Sequence, residues 1–553
     1  MTKANGVSGV LVRHFFRRFF DSDTVSAEGD TVTTVVRAVS MAAAPGLMAA
    51  FFLQNQYPRR SLWGSIEDHY FFVLLTFVVL GAVAVFEWEM LFPDRLDFLI
   101  LSPLSINPVK MLGTKLAALA GFLGLFLFAS SVFGAIVLPA VSKGDFPRQM
   151  MAHATAVLMA GVFASLLFLA VGGGLICVLS ASWFRVALPV VQTFSITALL
   201  LAMLHYFKCG DAMQAMLGHE PGMLRWLPPM WFLGVYESVL RGDGAPAFAA
   251  EMTKYAVRGT LVVSVAVAVT YPLAWVRMQR MAMEGSGGRY GEPSRWMTRV
   301  QHWVVRRAET RGVFHFIGQT MRRSSRYQVY LAMYCGTGFA LAVACAVTYR
   351  LDGSGVPRAA LATDGLRALT PLLLFWMVAG LRGAFAIPIN LLARWVFRMA
   401  GVTMQVCADA GRQWALFCSV GVLGVVLAVL FAAGWDARQL VVQGVLGACL
   451  CVLLTDGFFF SGQSIPFNEA RMPGRTSLPL VLTLYVGVLP AFILWMMQLD
   501  EAMEKRPVRL LMVVLGTALI HRLIVALRPG PEVEEEELEG YDGEFQLLGL
   551  SRQ

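Results

Sequence analysis

The chain has 553 residues, of which 57% are hydrophobic and 15% are charged, and its formal net charge is +9. Soluble globular proteins carry about 25% charged residues and about 45–50% apolar residues. A soluble fold of this composition could not cover its apolar surface with polar groups, which excludes an ordinary soluble enzyme and predicts that much of the surface faces lipid. The arginines lie in short segments between apolar runs, the distribution that orients membrane proteins, so the positive charge does not indicate nucleic-acid binding.

Twelve apolar runs approach the roughly 20 residues that a helix needs to cross a bilayer core of about 30 Å. Lipid offers the backbone no hydrogen-bond partner, so a membrane-spanning run must form a helix or part of a closed barrel. The length of the runs predicts an all-α integral membrane protein with about 12 transmembrane helices. In chain order the runs are 31–53, 70–86, 111–140, 153–181, 185–204, 256–276, 327–349, 368–387, 413–434, 439–460, 477–498 and 507–526.

The order of segments along the chain predicts two six-helix halves. A basic, aromatic segment precedes the first span of each half, at Phe15–Phe20 and at Phe314–Arg323. This pattern is typical of a helix that lies in the interface and contacts membrane lipid. A proline-containing stretch then follows the second span of each half at a similar distance, 61 residues from 31 to 92 and 60 residues from 327 to 387.

The most basic segment sets the predicted orientation. Residues 277–326 contain eleven arginines and three acidic residues, so by the positive-inside rule they are cytoplasmic. Counting spans from there places both termini on the cytoplasmic side of the cell (inner or plasma) membrane. The same count places the loops near 54–69, 140–152, 205–255, 350–367, 435–438 and 499–506 on the external side. The predicted domains are a first transmembrane half at 1–277 with an external segment at 205–255, a basic linker with an interfacial helix at 278–326, a second transmembrane half at 327–527, and an acidic, disordered tail at 528–553.

Residues 87–110 combine clustered charges with leucines near helical spacing. Pro93 can begin a helix and Pro103 can end one. The pattern predicts a short amphipathic helix on the cytoplasmic side, joined rigidly to the spans on both sides. Lys115 follows inside the next apolar run, where its ammonium group can snorkel back to the interface.

This region resembles the permease subunits of ABC-2 type exporters. The resemblance lies in the acidic exit from the second span, the charged helix, the Leu-Ile-Leu-Ser-Pro-Leu stretch at 99–104, and the lysine that opens the third span. In that family the loop is a coupling helix that seats in a groove of a separate ATPase, and an interfacial helix precedes the first span. Residues 226–232 also resemble the family's re-entrant hairpin. Residues 387–398 hold the corresponding place in the second half, but they lack the acidic residues and the Leu-Ser-Pro ending.

The resemblance implies a permease that hydrolyses nothing itself. Two separate P-loop ATPase subunits would push on the cytoplasmic helices, and the spans would open a path for an unidentified substrate. Two halves in one chain would supply a complete permease pair, and the unequal coupling segments suggest two unequal ATPase contacts. The residues assigned to ATPase coupling are Glu87, Glu89, Phe92, Pro93, Asp94, Arg95, Asp97 and Pro103 in the first half and Pro388, Arg394 and Arg398 in the second.

Other functions are less well supported by the sequence. The chain contains no GxxxxGK[ST], HExxH or GxSxG motif, so we expect no catalytic site, no metal site and no cofactor. Asp456 lies inside an apolar run and is the intramembrane polar candidate; a satisfied carboxylate and a proton relay both fit it. The alternatives to an exporter are an ion-coupled secondary transporter and a non-transporting polytopic scaffold.

Overall fold

In a computed structural model of the chain, most of the described residues form helices. The described residues are 2–20, 31–57, 59–88, 107–142, 144–208, 226–284, 305–351, 357–387, 402–460, 467, 484–506 and 508–528. The helices of the first part are α1 (Thr2–Phe20), α2 (Thr31–Gln54), α3 (Leu62–Phe86), α4 (Pro108–Val141), α5 (Phe146–Val178), α6 (Ala181–Tyr206), α7 (Pro228–Arg241) and α8 (Ala247–Glu284). The later helices are α9 (Ala308–Arg323), α10 (Ser325–Ala346), α11 (Thr363–Phe385), α12 (Met404–Ala432), α13 (Ala437–Phe458), α14 (Leu489–Lys505) and α15 (Val508–Ala526).

Eleven of these helices are long and apolar enough to cross a membrane: α2 to α6, α8, α10 to α13 and α15. Each overlaps one of the predicted runs, which confirms a helical, polytopic membrane protein. The predicted run at 477–498 begins outside the described residues. Its described part is a π-helical turn, Leu484–Val488, followed by α14, and a span there stays a prediction. The acidic tail from 529 onward also lies outside the described residues.

The seventh predicted run, 327–349, extends too far. Helix α10 ends at Ala346, and the next residues form strand β1 (Val347–Leu351), which pairs antiparallel with β2 (Pro357–Leu361). β-Branched and aromatic residues at the start of β1 favour a strand over a helix. The described fold is therefore helical with one small hairpin, where the sequence predicted helices alone.

Most of the spanning helices begin earlier than their apolar runs, and α3 and α8 are the two examples that bear on the site. Helix α3 begins at Leu62, where Ser61 caps it by accepting a hydrogen bond of 3.0 Å from the N–H of Gly64. Its first turns include the polar residues Asp68 and His69, which precede the apolar run at 70–86. Helix α8 begins at Ala247 rather than at 256, so part of the predicted external segment is helical.

The described residues fall into two compact units, one within Met1–Tyr290 and Ala332–Leu361 and the other within Gly291–Leu331 and Ala362–Gln553. In the first unit α3 packs against α4, α5 and α6, and α5 packs against α4 and α8. In the second unit α11 packs against α12, α13 and α14, and α13 packs against α12 and α15. The order of helix pairs therefore repeats. The predicted boundaries at 277 and 327 concern membrane topology and stay a prediction.

Helices α3 and α11 are the most buried spans of their units. In their most apolar stretches 78% and 72% of the residues are buried, against 50% or less in every other candidate span. An apolar helix in a membrane can face lipid or protein, and most of the apolar stretch of α3 and of α11 faces protein. These two helices are therefore the central helices of their units, with the helices named above packed against them.

Helix α1 is amphipathic and packs against α4. It buries Leu11, Phe15 and Phe19, and the ring of Phe19 stacks on Phe122 with 4.8 Å between centroids. Lys115 of α4 does not snorkel to the surface as the sequence predicted. It is buried, and its Nζ lies 5.5 Å from the centroid of the Phe15 ring, because α1 covers this part of α4.

Helix α9 takes the corresponding position in the second unit. It packs against α12 and buries Val313, Phe314 and Ile317. The ring of Phe314 meets Trp414 of α12 edge-on, with 4.7 Å between centroids. Both predicted interfacial segments are therefore helices whose apolar sides pack on the helix that follows the central one.

We expect Gly234→Ala to destabilise the first unit. A Cβ atom at Gly234 of α7 would lie 2.8 Å from the carbonyl oxygen of Ala249 and 2.4 Å from the Cβ of Met252, both in α8. These atoms belong to or adjoin the backbone and cannot move aside, so the two helices must separate, at a cost of about 1–3 kcal/mol. The melting temperature of the purified chain in detergent measures this loss.

The matched control is Gly421→Ala in α12, where a Cβ atom would meet nothing within 4 Å. This change adds a better helix former without a clash and should leave the melting temperature equal or slightly higher. A Gly234→Ala protein that melts at or above the wild-type temperature would contradict the close packing of α7 on α8.

Candidate functional site

Most of the residues assigned to ATPase coupling lie outside the described part of the chain. Of the coupling residues assigned in the first half, only Glu87 is described. It caps the end of α3, and its backbone N–H donates to the carbonyl of Val83 at 3.1 Å. The remaining members, which stay predictions, are Glu89, Phe92, Pro93, Asp94, Arg95, Asp97 and Pro103, together with Pro388, Arg394 and Arg398.

The helix ends on both sides of the first segment are firmly held. Trp88 is buried, and its Nε1 donates a hydrogen bond of 2.8 Å to the carbonyl oxygen of Phe168 in α5. Gly172 makes room for this ring, because a Cβ atom there would lie 3.1 Å from the indole nitrogen. On the other side Asn107 caps α4 by accepting a hydrogen bond of 2.9 Å from the N–H of Val109. Segment 89–106 therefore connects two fixed points.

The start of the second segment is held in a similar way. The hydroxyl of Tyr327 donates to the carbonyl oxygen of Ile387, the last described residue before the segment. About two turns earlier, within α11, the carbonyl oxygen of Gly380 accepts a hydrogen bond of 3.1 Å from the hydroxyl of Tyr330. The N–H of Phe467 donates to the carbonyl of Phe385 at 3.0 Å. The end of α11 is therefore held by two tyrosine hydroxyls of α10 and by the backbone N–H of Phe467.

Asp456 is buried in α13, and both of its carboxylate oxygens have partners. Oδ2 lies 2.5 Å from Nδ1 of His521 in α15, and Oδ1 accepts a hydrogen bond of 2.8 Å from Nη2 of Arg528. The side chain thus joins α13 to the end of α15. This geometry is that of a satisfied buried carboxylate, and a role in proton transfer stays a prediction.

A buried ionic network that the sequence did not reveal joins α3 to α7. Nδ1 of His69 lies 2.7 Å from Oε1 of Glu237, and Nε of Arg241 donates to Oε2 of the same carboxylate at 2.5 Å. Glu237 has no exposed surface. The ring of His69 also stacks on Tyr236, with 4.1 Å between centroids. We call these residues, with the Asp68 group described next, the α3–α7 network.

The second part of the α3–α7 network surrounds Asp68. The guanidinium of Arg60 binds this carboxylate with two hydrogen bonds of 3.0 and 2.8 Å, and the hydroxyl of Tyr57 donates a third of 3.1 Å. The bond to Asp68 raises the pKa of Arg60 above its ordinary value. Burial, followed by the charge of Asp68, raises the pKa of Tyr57. The turn between α2 and α3 is therefore tied to the first turns of α3.

The second unit has a corresponding network between α11 and α14. Near the start of α11, Arg367 donates to Asp500 at 3.3 Å and to Glu504 at 2.6 Å. Gln439 of α13 donates to the other oxygen of Glu504 at 3.0 Å. The bond from Gln439, with a smaller contribution from Arg367, lowers the pKa of Glu504, whereas burial raises that of Asp500. We call this set the α11–α14 network.

The sequence contained only a weak signal for these networks. Asp68 and His69 directly precede an apolar run and were assigned to an external loop, and Glu237 ends a short apolar stretch inside the predicted external segment. The partners His69 and Glu237 are 168 residues apart, and a single sequence gives no means of pairing them. In the residues that the structure describes, no group of three or more metal-binding side chains could hold an ion.

Comparison with known proteins assigns no role to these residues. No family model matches the chain, and neither a curated protein nor a solved structure matches it.

We expect Glu237→Gln to destabilise the protein. The change keeps the size of the side chain but leaves the guanidinium of Arg241 and the imidazole of His69 without their buried anion. Removing one partner from such a group costs about 2–3 kcal/mol, which should appear as a lower melting temperature in detergent.

The control is Asp243→Asn, which removes an exposed carboxylate from the turn after α7. Its melting temperature should equal that of the wild type. If Glu237→Gln and Asp243→Asn have the same melting temperature, Glu237 does not hold α7 against α3.

Proposed function

We propose that the chain is the membrane-spanning permease subunit of an ATP-driven, ABC-2 type exporter. In this proposal twelve spans form two six-span halves, both termini lie on the cytoplasmic side of the cell membrane, and separate P-loop ATPase subunits hydrolyse ATP. The exported substrate is not identified. The proposal rests on the resemblance of residues 87–110 to a coupling helix and on where that segment leaves the bundle.

The observation that carries the proposal is that both predicted coupling segments continue directly from the most buried helix of their unit. Helix α3 ends at Phe86 and the first segment begins at Glu87; helix α11 ends at Phe385 and the second begins at Ile387. A load applied to either segment would therefore act first on α3 or α11 and through them on the spans packed around each. An exporter driven by a separate ATPase needs such a lever.

The contacts of α3 suggest how the load would travel. At one end Trp88 binds the backbone of α5, and Gln192 of α6 donates to the carbonyl of Val85 at 3.2 Å. At the other end the α3–α7 network ties the helix to Glu237. A tilt or shift of α3 would thus be felt by α5 and α6 near the coupling segment and by α7 at the far end. Well-packed interiors transmit such displacements because they have few voids.

The length and position of α7 agree with a re-entrant segment. Its 14 residues span about 21 Å at 1.5 Å per residue, less than the bilayer core of about 30 Å. Most of its residues are buried against α3, α5 and α8. A short helix of this kind at membrane depth is tolerated only where protein surrounds it. The two units also repeat the same order of helix pairs, which supports an organisation in two halves.

The central prediction concerns the charges of the first coupling segment. Reversing them together in Asp94→Lys, Arg95→Glu and Asp97→Lys should release the ATPase, because ion pairs across the contact become repulsive. Affinity purification from native membranes, followed by mass spectrometry, should recover about tenfold less ATPase per chain than with the wild type. The amount of chain in the membrane fraction should not change.

The control is the double variant Glu501→Lys and Lys505→Glu, which exchanges an exposed ion pair of 2.7 Å on α14 at the predicted external side. It alters two charges and should retain the ATPase. Full recovery of the ATPase with the triple variant would exclude this segment as the main contact.

A further inference from the structure

A cavity of about 430 Å³ lies in the first unit where α3 begins, α4 meets α5, and α7 ends. The cavity is lined mainly by residues from the segments near 54–69, 140–152 and 205–255, each of which the sequence places on the external side. The side chains that matter for its chemistry are three arginines, Arg60, Arg148 and Arg241, and one carboxylate, Asp145. The cavity is large enough for a small anionic group with part of the molecule that carries it.

Two of the three guanidinium groups are held by carboxylates that do not line the cavity. Asp68 binds Arg60 through two hydrogen bonds, and Glu237 binds Nε of Arg241. Both carboxylates are almost completely buried, at 1% and 0% exposure. The buried acids therefore fix the arginines, whereas the cavity itself is lined by the guanidinium groups.

Arg148 is fixed by a backbone carbonyl instead of a carboxylate. Its Nε donates a hydrogen bond of 3.2 Å to the carbonyl oxygen of Val239 at the end of α7. Its two Nη atoms make no hydrogen bond to the described residues, nor does Nη1 of Arg60 or Arg241. Several charged N–H donors of the lining thus make no hydrogen bond to the described residues. Asp145 is the one acidic side chain among the lining residues.

We propose that this cavity binds an oxyanion of the phosphate type. Guanidinium groups donate paired, charge-assisted hydrogen bonds that match the oxygens of phosphate, and preformed donors need little reordering when the anion enters. The anion comes either from a free phosphate compound or from the headgroup of an anionic lipid. The proposal goes beyond the exporter function and does not depend on an ATPase.

The test uses the full chain, purified in detergent and in lipid nanodiscs. Inorganic phosphate is titrated by calorimetry, with sucrose as an uncharged hydrogen-bonding probe. Melting temperatures are compared in nanodiscs of phosphatidylglycerol and of phosphatidylcholine. The variant is Arg148→Gln, whose exposed side chain has no ion-pair partner in the described part of the chain. The control is Arg59→Gln, which removes an exposed charge next to Arg60 that does not line the cavity.

Saturable phosphate binding that is about tenfold weaker in Arg148→Gln and unchanged in Arg59→Gln would support a site for free phosphate compounds. Stabilisation in phosphatidylglycerol alone, lost in Arg148→Gln and kept in Arg59→Gln, would support a lipid headgroup. Three results would overturn the proposal: neither phosphate binding nor stabilisation by phosphatidylglycerol, phosphate binding no stronger than sucrose binding without stabilisation by phosphatidylglycerol, or an equal effect of the two variants. Because binding is measured on the chain alone, its failure would leave the exporter proposal standing.

Discussion

The burial of α3 and α11 is the constraint on which the rest of the structure depends. Where protein covers a helix, its polar groups meet neither bulk water nor lipid, so they need partners within the protein. Asp68 and His69 on α3 and Arg367 on α11 each have charged partners. The ionic networks are therefore a consequence of placing charged residues at the ends of the two most buried helices.

The same constraint gives each central helix two distinct ends. One end of α3 continues into a predicted coupling segment, and the other holds α7 through Glu237. One end of α11 likewise continues into the second predicted segment, and the other holds α14 through Arg367. A rigid, buried helix between an ATPase contact and a distant ionic network can carry a displacement across the membrane. We infer that this is why the proposed coupling segment lies at one end of each central helix and the ionic network at the other.

The two units repeat this plan with different residues. The first network is built from an imidazole, two guanidinium groups and two carboxylates, whereas the second has one guanidinium group between two carboxylates. The first coupling segment carries charges of both signs, and the second has a basic face without acidic residues. Two ATPase subunits would therefore meet unequal contacts, and the two halves would not be interchangeable. A single chain that contains both halves can maintain such a difference, which a homodimer cannot.

The sequence predicted the spans well because run length is set by bilayer thickness alone. Helix α2 and the predicted run at 31–53 differ by one residue. The sequence failed where the outcome depends on pairing between distant residues. It gave no pairing for Asp68, His69 and Glu237, since a charge beside an apolar run looks the same whether it is solvated or paired. It identified Asp456 from its apolar surroundings, but not His521 and Arg528, which come from a later helix. The first three residues of the hairpin were included in the run at 327–349, because an apolar run does not distinguish the end of a helix from a short strand.

The most direct measurement is the native mass of the complex that the tagged chain forms when it is purified from its own membrane in mild detergent. The exporter proposal predicts a particle that contains one copy of the chain and two P-loop ATPase subunits. A particle that contains the chain alone, under conditions in which its helices stay folded, would contradict the proposal and would direct attention to Asp456 and ion-coupled transport.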